Sequence, residues 1–138
     1  MTKVFLDTAY FIALVSTADR HHLKAQEISE WIATTKIQTV TTQAVMLEVG
    51  NALSKQRYRR IAVSLLSLIE SDSDTAIIPL TRKLYVQAFA LFSSRLDKEW
   101  GLVDCMSCVV IQEQSITQVA TADKHFRQMG FKVLLDGS

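Results

Sequence analysis

The sequence predicts an α/β fold in which a parallel β-sheet carries helices on both faces. The chain has 138 residues, 49% of them apolar, which is enough for one domain with a substantial core. Short apolar or β-branched runs alternate along it with longer segments of helical periodicity, a pattern typical of parallel sheets covered by helices. One proline, four glycines and the lack of repeats leave this alternation uninterrupted. We therefore expect residues 1–138 to form a single domain.

Five segments have the character of strands. The first is apolar throughout and ends at an acidic residue, as expected of a buried strand. The second and third are rich in β-branched residues, and the only proline of the chain ends the third, where a missing N–H is tolerated. The predicted strands are residues 4–6, 37–41, 75–79, 118–121 and 132–135.

The segments between the strands have helical periodicity. In the third of them, Val45, Val49, Ala52 and Leu53 have the spacing of a helix face that packs on a core. Gly130 ends the last of them, because glycine is common just after a helix. The predicted helices are residues 8–15, 22–34, 43–55, 59–71, 81–96, 102–114 and 124–129.

Net charge, apolar runs and cysteine spacing limit the classes of protein to which this chain can belong. A formal net charge of +1 gives no general attraction to a polyanion, so any nucleic-acid site must be a local patch. No stretch is long and apolar enough to span a membrane, and the apolar run before Asp7 is too short for a signal peptide. Cys105 and Cys108 are too close in sequence to form a disulfide framework. We therefore expect buried thiols in a cytoplasmic protein.

Four acidic residues occupy positions that point to a site. Asp7 and Asp123 directly follow the first predicted strand and the fourth, and open α/β sheets bind ligands beyond the carboxyl ends of their strands. Glu48 lies beside the apolar face of its helix, and Asp104 is the only charged residue in an otherwise apolar helical stretch. A carboxylate next to a core loses hydration, so we expect these two to need a partner.

Each acid taken singly also has a structural explanation. Asp7 and Asp123 could cap helices, Asp104 could complement a helix dipole, and Glu48 could reach past the core to solvent. Together they are harder to explain, because no basic residue lies at helical spacing to neutralise Glu48 or Asp104. Clustered carboxylates call for a cation, and oxygen ligands favour Mg²⁺ or Mn²⁺. Two such ions about 3.5–4 Å apart can clamp the reacting oxygens of a phosphodiester.

The segments that carry these acids resemble the acidic motifs of PIN domains, most closely those of VapC-like toxins of prokaryotic toxin–antitoxin pairs. The resemblance covers essentially the whole chain in order, spacing and length, and its motifs are residues 5–8, 47–53, 102–105 and 120–126. It implies a three-layer α/β/α sandwich with a five-stranded parallel sheet. It also implies an endoribonuclease dependent on Mg²⁺ or Mn²⁺, a homodimer, and a VapB-like antitoxin whose tail blocks the acidic groove.

The resemblance assigns roles to individual residues. Asp7, Glu48, Asp104 and Asp123 would bind the metal, and a metal-activated water would attack the phosphorus in line. Thr121 matches a small hydroxyl residue that supports such sites by bonding a carboxylate or a metal-bound water.

The chain also departs from the family. Gly101 and Val103 replace serine or threonine found in many relatives, which weakens the predicted helix cap and alters the hydrogen bonds expected around Asp104. Asp97 and Glu99 are rejected as the third acid, because they lie in a mixed-charge stretch that we expect to be solvated.

Two basic groups are candidates for contacts with RNA phosphates. Arg57, Arg59 and Arg60 flank Tyr58, which could stack on a base. An equally good explanation is a solvated helix–helix turn, with Lys55 and Arg57 near the carboxyl end of a helix.

Residues just after Asp123 form the second basic group. Lys124 and Arg127 are better placed to reach a scissile phosphate. His125, between them, is expected to pack or to lie on the surface rather than to act in catalysis.

Other functions are weaker candidates. A PIN-like module that binds RNA or protein without turnover has no evident need for all four acids. A dehalogenase-type phosphatase needs a second aspartate where this chain has Ala9, and the acidic pair and lysine of a phosphorelay receiver are not found. A nuclease that acts on DNA stays open, because carboxylates do not distinguish ribose from deoxyribose.

Overall fold

The computed structural model describes residues 2–135, in which five strands form one parallel sheet. The strands are β1 (Lys3–Leu6), β2 (Gln38–Thr42), β3 (Thr75–Ile78), β4 (Gln118–Ala120) and β5 (Lys132–Val133). Their order is β3-β2-β1-β4-β5, and every neighbouring pair is parallel. The predicted five-stranded parallel sheet is confirmed.

Seven helices connect the strands within the described residues: α1 (Thr8–Val15), α2 (His22–Thr35), α3 (Gln43–Ala52), α4 (Gln56–Ser71), α5 (Arg82–Ser94), α6 (Leu102–Glu113) and α7 (Lys124–Gln128). The chain steps in one direction from β1 to β3 and then in the other direction to β4 and β5. Because crossovers between parallel strands are right-handed, the two sets of connecting helices lie on opposite faces of the sheet. The result is the predicted three-layer α/β/α sandwich.

Strand order reverses beside β1, which pairs with β2 on one side and with β4 on the other. Leu6 is in register with Ala120, and the Asp7 amide donates a hydrogen bond to the Ala120 carbonyl at 3.2 Å. The carboxyl ends of β1 and β4 therefore meet at the point where such sheets open a crevice for ligands.

The central strands are buried on both faces. Val4 and Phe5 in β1 and Val119 in β4 are fully buried, as expected of a parallel sheet covered by helices on each side. The core cluster extends from these strands into all seven helices of the described residues and reaches Leu135 beyond β5. This packing holds the carboxyl ends of β1 and β4 in place, and with them the residues that follow these strands.

Helices α3 and α4 differ from the prediction by three residues at their junction. The predicted bounds were 43–55 and 59–71, but α3 ends at Ala52 and α4 begins at Gln56. All other bounds agree with the prediction within two residues. Leu53, just past the end of α3, is buried, so the apolar pattern runs on across the junction and conceals the break.

The junction between α3 and α4 is closed by a side chain. Lys55 has an extended backbone (φ −60°, ψ 149°) that stops α3 from continuing into α4. The Arg59 guanidinium donates from Nε and Nη2 to the Ser54 carbonyl at 3.1 and 2.7 Å. This contact satisfies a carbonyl that the break leaves without a helical partner.

No helix in residues 2–135 is long and apolar enough to cross a membrane.

Candidate metal centre

The four predicted acids all follow strands at the carboxyl edge of the sheet or lie in helices that begin there. Asp7 follows β1 at the N-cap of α1, and Asp123 follows β4 at the N-cap of α7. Asp104 lies in the first turn of α6 and Glu48 in α3, which follows β2. Which of these side chains come together is decided by the local geometry of each element.

Asp7 is almost fully buried, with 4% of its surface exposed. Thr121 Oγ1 donates to Asp7 Oδ2 at 2.8 Å. Although Asp7 occupies the N-cap position of α1, its side chain makes no cap hydrogen bond. Helix capping therefore does not account for an aspartate at this position.

Thr121 forms hydrogen bonds with two of the four acidic residues. Its hydroxyl donates to the Asp7 carboxylate and accepts the Asp123 backbone N–H at 3.1 Å. Thr121 is itself fully buried at the end of β4, so its side chain has little freedom to move. The residue thus lies where the predicted supporting role requires it.

Asp104, Asp123 and His125 form a compact cluster. His125 Nδ1 lies 3.2 Å from Asp104 Oδ2 and 3.2 Å from Asp123 Oδ1. One ligand atom from each of the three side chains falls within 4.8 Å of the other two. The Gly101 amide also donates to Asp104 Oδ2 at 3.0 Å. Because glycine has no side chain to return the bond, this helix cap is one-sided, as the departure from the family predicts.

His125 packs, which is one of the two environments expected for it, and the residues that it packs against are acids of the site. Only 20% of its side chain is exposed, and the ring contacts two acids of the site. Asp123 Oδ1 caps α7 by accepting the His125 backbone N–H at 2.9 Å. Side chains point back toward the amino end of a helix, so the second residue of α7 turns toward the acid that caps it. In the sequence, a histidine two residues after an aspartate that caps a helix is the signal that could have predicted this contact.

Glu48 is exposed, so the prediction that it loses hydration beside the core is wrong. Ala52, assigned to the same apolar face, is also exposed, whereas the other three residues of that face, Val45, Val49 and Leu53, are buried as predicted. Thr8 Oγ1 donates to Glu48 Oε1 at 2.7 Å and holds the carboxylate near the residue that follows Asp7. Glu48 therefore lies at the solvent side of the site.

The electrostatics of the site are dominated by burial and by repulsion between carboxylates. Burial raises the pKa of Asp7 to about 7, the hydrogen bond from Thr121 opposes this, and the Asp104 and Asp123 carboxylates add to it. Burial also raises the pKa of Asp104, against the hydrogen bond from Gly101. The two charged groups that raise the pKa of Asp7 are both carboxylates.

These residues fit a divalent cation. The site brings three carboxylates into mutual repulsion, one of them buried, and hard divalent ions prefer carboxylate oxygen ligands. A bound cation would relieve the repulsion and make the charged form of Asp7 favourable.

Two other acids and the two cysteines behave as predicted. Asp97 and Glu99 are exposed, and Asp97 Oδ1 accepts from Arg95 Nε at 3.1 Å in a solvated mixed-charge stretch. Cys105 and Cys108 are free and buried, and burial raises the pKa of the Cys108 thiol to about 11. Such thiols are unreactive, which confirms their interpretation as small buried hydrophobic side chains.

The basic residues lie on two exposed helix ends. Lys124 and Arg127 are exposed on α7, directly after Asp123. Arg57, Arg59 and Arg60 lie in the first turns of α4, and Arg57 stacks over the Tyr58 ring at 4.8 Å.

Residues 55–60 lie at an exposed helix–helix junction, as the alternative explanation holds, and Lys55 follows the C-cap of α3 by two residues. The same residues also begin the next helix. Lys55 is the N-cap of α4 and Arg57 lies in its first turn, where the helix dipole disfavours positive charge.

A family model and several solved structures are similar to this chain. The model of the PIN domain family matches residues 4–132. Curated protein sequences give no match. Among solved structures, VapC20 of Mycobacterium tuberculosis, described as a sarcin-ricin-loop-cleaving toxin, has a TM-score of 0.81 at 23% identity over 93% of this chain and 95% of that chain.

Two further solved structures are similar. VapBC2 from Rickettsia felis, bound to a DNA fragment from the promoter, has a TM-score of 0.69 at 16% identity over 96% of each chain. FitAcB from Neisseria gonorrhoeae has a TM-score of 0.66 at 15% identity over 95% of this chain and 96% of that chain. At these identities the likeness establishes the fold.

We expect replacement of Thr121 by valine to destabilise the protein by about 1–3 kcal/mol, because it removes a hydrogen bond to the buried Asp7 carboxyl group and the acceptor of the Asp123 backbone N–H. Urea denaturation of Thr121→Val and Thr121→Ser measures the effect, since serine keeps the hydroxyl and loses only a methyl group. Equal stability of the two variants would contradict the bridging role of the hydroxyl.

We expect the free energy of unfolding of the metal-free protein to fall as the pH rises from 3.8 to about 7. Over this range folded Asp7 keeps a proton that the unfolded chain has released, so stability decreases with pH. The full shift corresponds to roughly 4 kcal/mol at about 1.4 kcal/mol per pKa unit. Chemical denaturation in EDTA across this range should show a shallower slope for Asp7→Asn, whose amide oxygen still accepts from Thr121. Parallel slopes would show that Asp7 does not cause the dependence.

Proposed function

The chain belongs to the PIN domain family, and from that membership we propose that it is a metal-dependent endoribonuclease that cleaves RNA phosphodiester bonds. The observation that carries the proposal is the convergence of Asp7, Asp104 and Asp123 at the point where strand order reverses. Mutual repulsion of three carboxylates at a ligand-binding crevice is costly unless a cation uses them. We propose Mg²⁺ or Mn²⁺ as that cation, held by these three residues and Glu48.

The residues of this chain prepare the site in distinct ways. Thr121 fixes Asp7, the Gly101 amide fixes Asp104, and the amino end of α7 fixes Asp123. Each carboxylate is thus oriented before any ligand binds, which lowers the cost of assembling the reactive geometry. A divalent ion in this position supplies the Lewis acidity that phosphodiester hydrolysis needs.

Glu48 has a different environment from the other three acids. It is solvent-exposed and held by Thr8, at the open side of the crevice. We propose that it binds the ion from the side on which RNA enters. Because its carboxylate is exposed, it pays little desolvation cost.

The basic residues are proposed contacts for the RNA backbone. Lys124 and Arg127 lie within four residues of Asp123, and α7 places both at the surface. Arg57 and Arg60 are exposed beside Tyr58, whereas the Arg59 guanidinium also closes the α3–α4 junction. Lys124 and Arg57 lie in the first turns of their helices, where the helix dipole disfavours a cation, and a bound anion would offset this cost.

We further propose that the chain is the toxin of a VapBC-like pair, a homodimer that a VapB-like antitoxin inhibits. The fold shared with VapC20 and with VapBC2 supports this. A mostly apolar cavity of about 560 Å³ lies between α1, α2 and α4 and offers a partner segment a surface to bind. Stacked, partly exposed Tyr85, Phe89 and Phe92 on α5 offer a second apolar surface for a dimer. Light scattering of the purified chain tests the dimer.

Free buried cysteines suit a reducing compartment, so we propose that the protein acts in the cytoplasm.

Cleavage of a structured RNA pool by the purified protein tests the proposed function. We expect cutting with Mg²⁺ or Mn²⁺, none in EDTA, and a loss of at least about 100-fold in Asp7→Asn, since even outer-shell partners of metal ligands are worth 10–100-fold. Glu99→Gln is the matched control, because it removes an exposed carboxylate that is close in sequence to Asp104 and is not one of the proposed ligands.

Two outcomes would contradict the nuclease proposal. Cleavage that persists in EDTA and in Asp7→Asn would show that these carboxylates are not the catalytic centre. Binding of RNA by folded wild type without cutting would favour the non-catalytic binding module. A single-stranded DNA of the same sequence, added as a second substrate, decides between RNA and DNA.

We expect Arg57→Gln with Arg60→Gln to weaken RNA binding and to reduce the slope of log K against log salt by about 1.4, since each phosphate contact contributes roughly 0.7 on single strands. Lys124→Gln, measured alongside, should reduce the slope by about half as much. Fluorescence anisotropy with a labelled RNA in EDTA measures binding without turnover. An unchanged slope would exclude the α4 arginines from the RNA interface.

A further inference from the structure

The His125 imidazole lies inside the acidic centre rather than beside it. Nδ1 has two contacts, and both are to carboxylate oxygens, Asp104 Oδ2 and Asp123 Oδ1. We propose that His125 Nδ1 is itself a metal ligand, so that the site is a mixed nitrogen–oxygen centre that binds Mn²⁺ in preference to Mg²⁺. This inference rests on the proposed function and specifies the ion that the site selects.

The spacing of the three donor atoms fits one ion. Ligands at about 2.1 Å from an octahedral ion are about 3 Å from their nearest neighbours. Nδ1 is 3.2 Å from each of the two carboxylate oxygens, and one ligand atom from each of the three side chains falls within 4.8 Å of the other two. Adjacent ligand positions around a single cation therefore match the two contacts of Nδ1.

The ring is not needed to orient the two carboxylates. Asp104 Oδ2 already accepts the Gly101 amide, and Asp123 Oδ1 already accepts the His125 backbone N–H. Replacing the imidazole would leave both backbone contacts in place. A ring that points into the site without being required to hold it is better explained as a ligand than as a support.

The position of the ring on its helix limits its freedom. His125 is the second residue of α7, and the next residue, Phe126, is fully buried and anchors the helix to the core. A pre-positioned imidazole loses little conformational entropy when it binds an ion. Nδ1 can bind in the tautomer that carries the ring proton on Nε2.

An imidazole ligand changes which divalent ion is preferred by a site whose other ligands are carboxylates. Mg²⁺ is bound through oxygen and retains water, whereas imidazole suits transition metals. Among the two ions proposed for this site, Mn²⁺ gains from a nitrogen ligand and Mg²⁺ gains little. Removing the imidazole should therefore lower the affinity for Mn²⁺ more than the affinity for Mg²⁺.

Two measurements on the intact protein test the assignment without using activity. Pulsed electron paramagnetic resonance of the Mn²⁺-loaded chain should show modulation from a directly coordinated ¹⁴N in wild type and none in His125→Ala. Calorimetric titration should show a loss of roughly 10-fold or more in Mn²⁺ affinity for His125→Ala, and a change of less than about threefold for Mg²⁺. His21→Ala is the matched control, because His21 makes no side-chain cap hydrogen bond in its own helix.

Each outcome decides a separate point. Wild type that binds Mn²⁺ without nitrogen coupling, or equal losses for both ions in the variant, overturns the ligand assignment and leaves the nuclease proposal standing. Wild type that binds neither ion overturns the proposed function as well. The spectrum of wild type alone tests the assignment if His125→Ala does not fold, and His125→Gln provides a second variant for the titration.

Discussion

The hydrogen bond from Thr121 to Asp7 is the contact on which the site depends. It joins residues 114 positions apart in sequence, at the ends of the two strands that flank the reversal of strand order. It also holds a buried carboxylate against the repulsion of Asp104 and Asp123. Because the same hydroxyl accepts the Asp123 amide, one buried side chain sets the distance between the acids that follow β1 and β4. The firm core beneath these strands makes that distance a fixed property of the fold.

Two acids of the site stabilise helix ends with the same side chains that we propose as metal ligands. Asp123 caps α7 and Asp104 accepts an amide at the start of α6, so both stabilise helix ends while they face the crevice. Asp7 is the exception, since it occupies a cap position without using its side chain as a cap. Burial raises the pKa of Asp7 to about 7, and the side chain does not cap its helix. We therefore explain an aspartate at this position by a ligand that it binds.

Most of the fold could be predicted because local signals and global packing agree. Strands buried on both faces appear in the sequence as uninterrupted apolar or β-branched runs, and nearly all element bounds follow from them. The junction of α3 and α4 could not be predicted, because Leu53 continues the apolar pattern across it. The extended backbone of Lys55 interrupts the helix there, and the Arg59 guanidinium satisfies the Ser54 carbonyl that the break leaves free.

The sequence by itself determined the fold class and the four candidate acids, because strand ends and charged residues in apolar helices are local features. Tertiary structure alone decided which of them converge, since the pairing of β1 with β4 brings Asp7 to Thr121 over a long sequence separation. It also moved Glu48 to the solvent side and brought His125 into contact with two carboxylates. The physical reason is that side-chain direction depends on helix start and rotation, and a helix start is set by contacts with the rest of the chain.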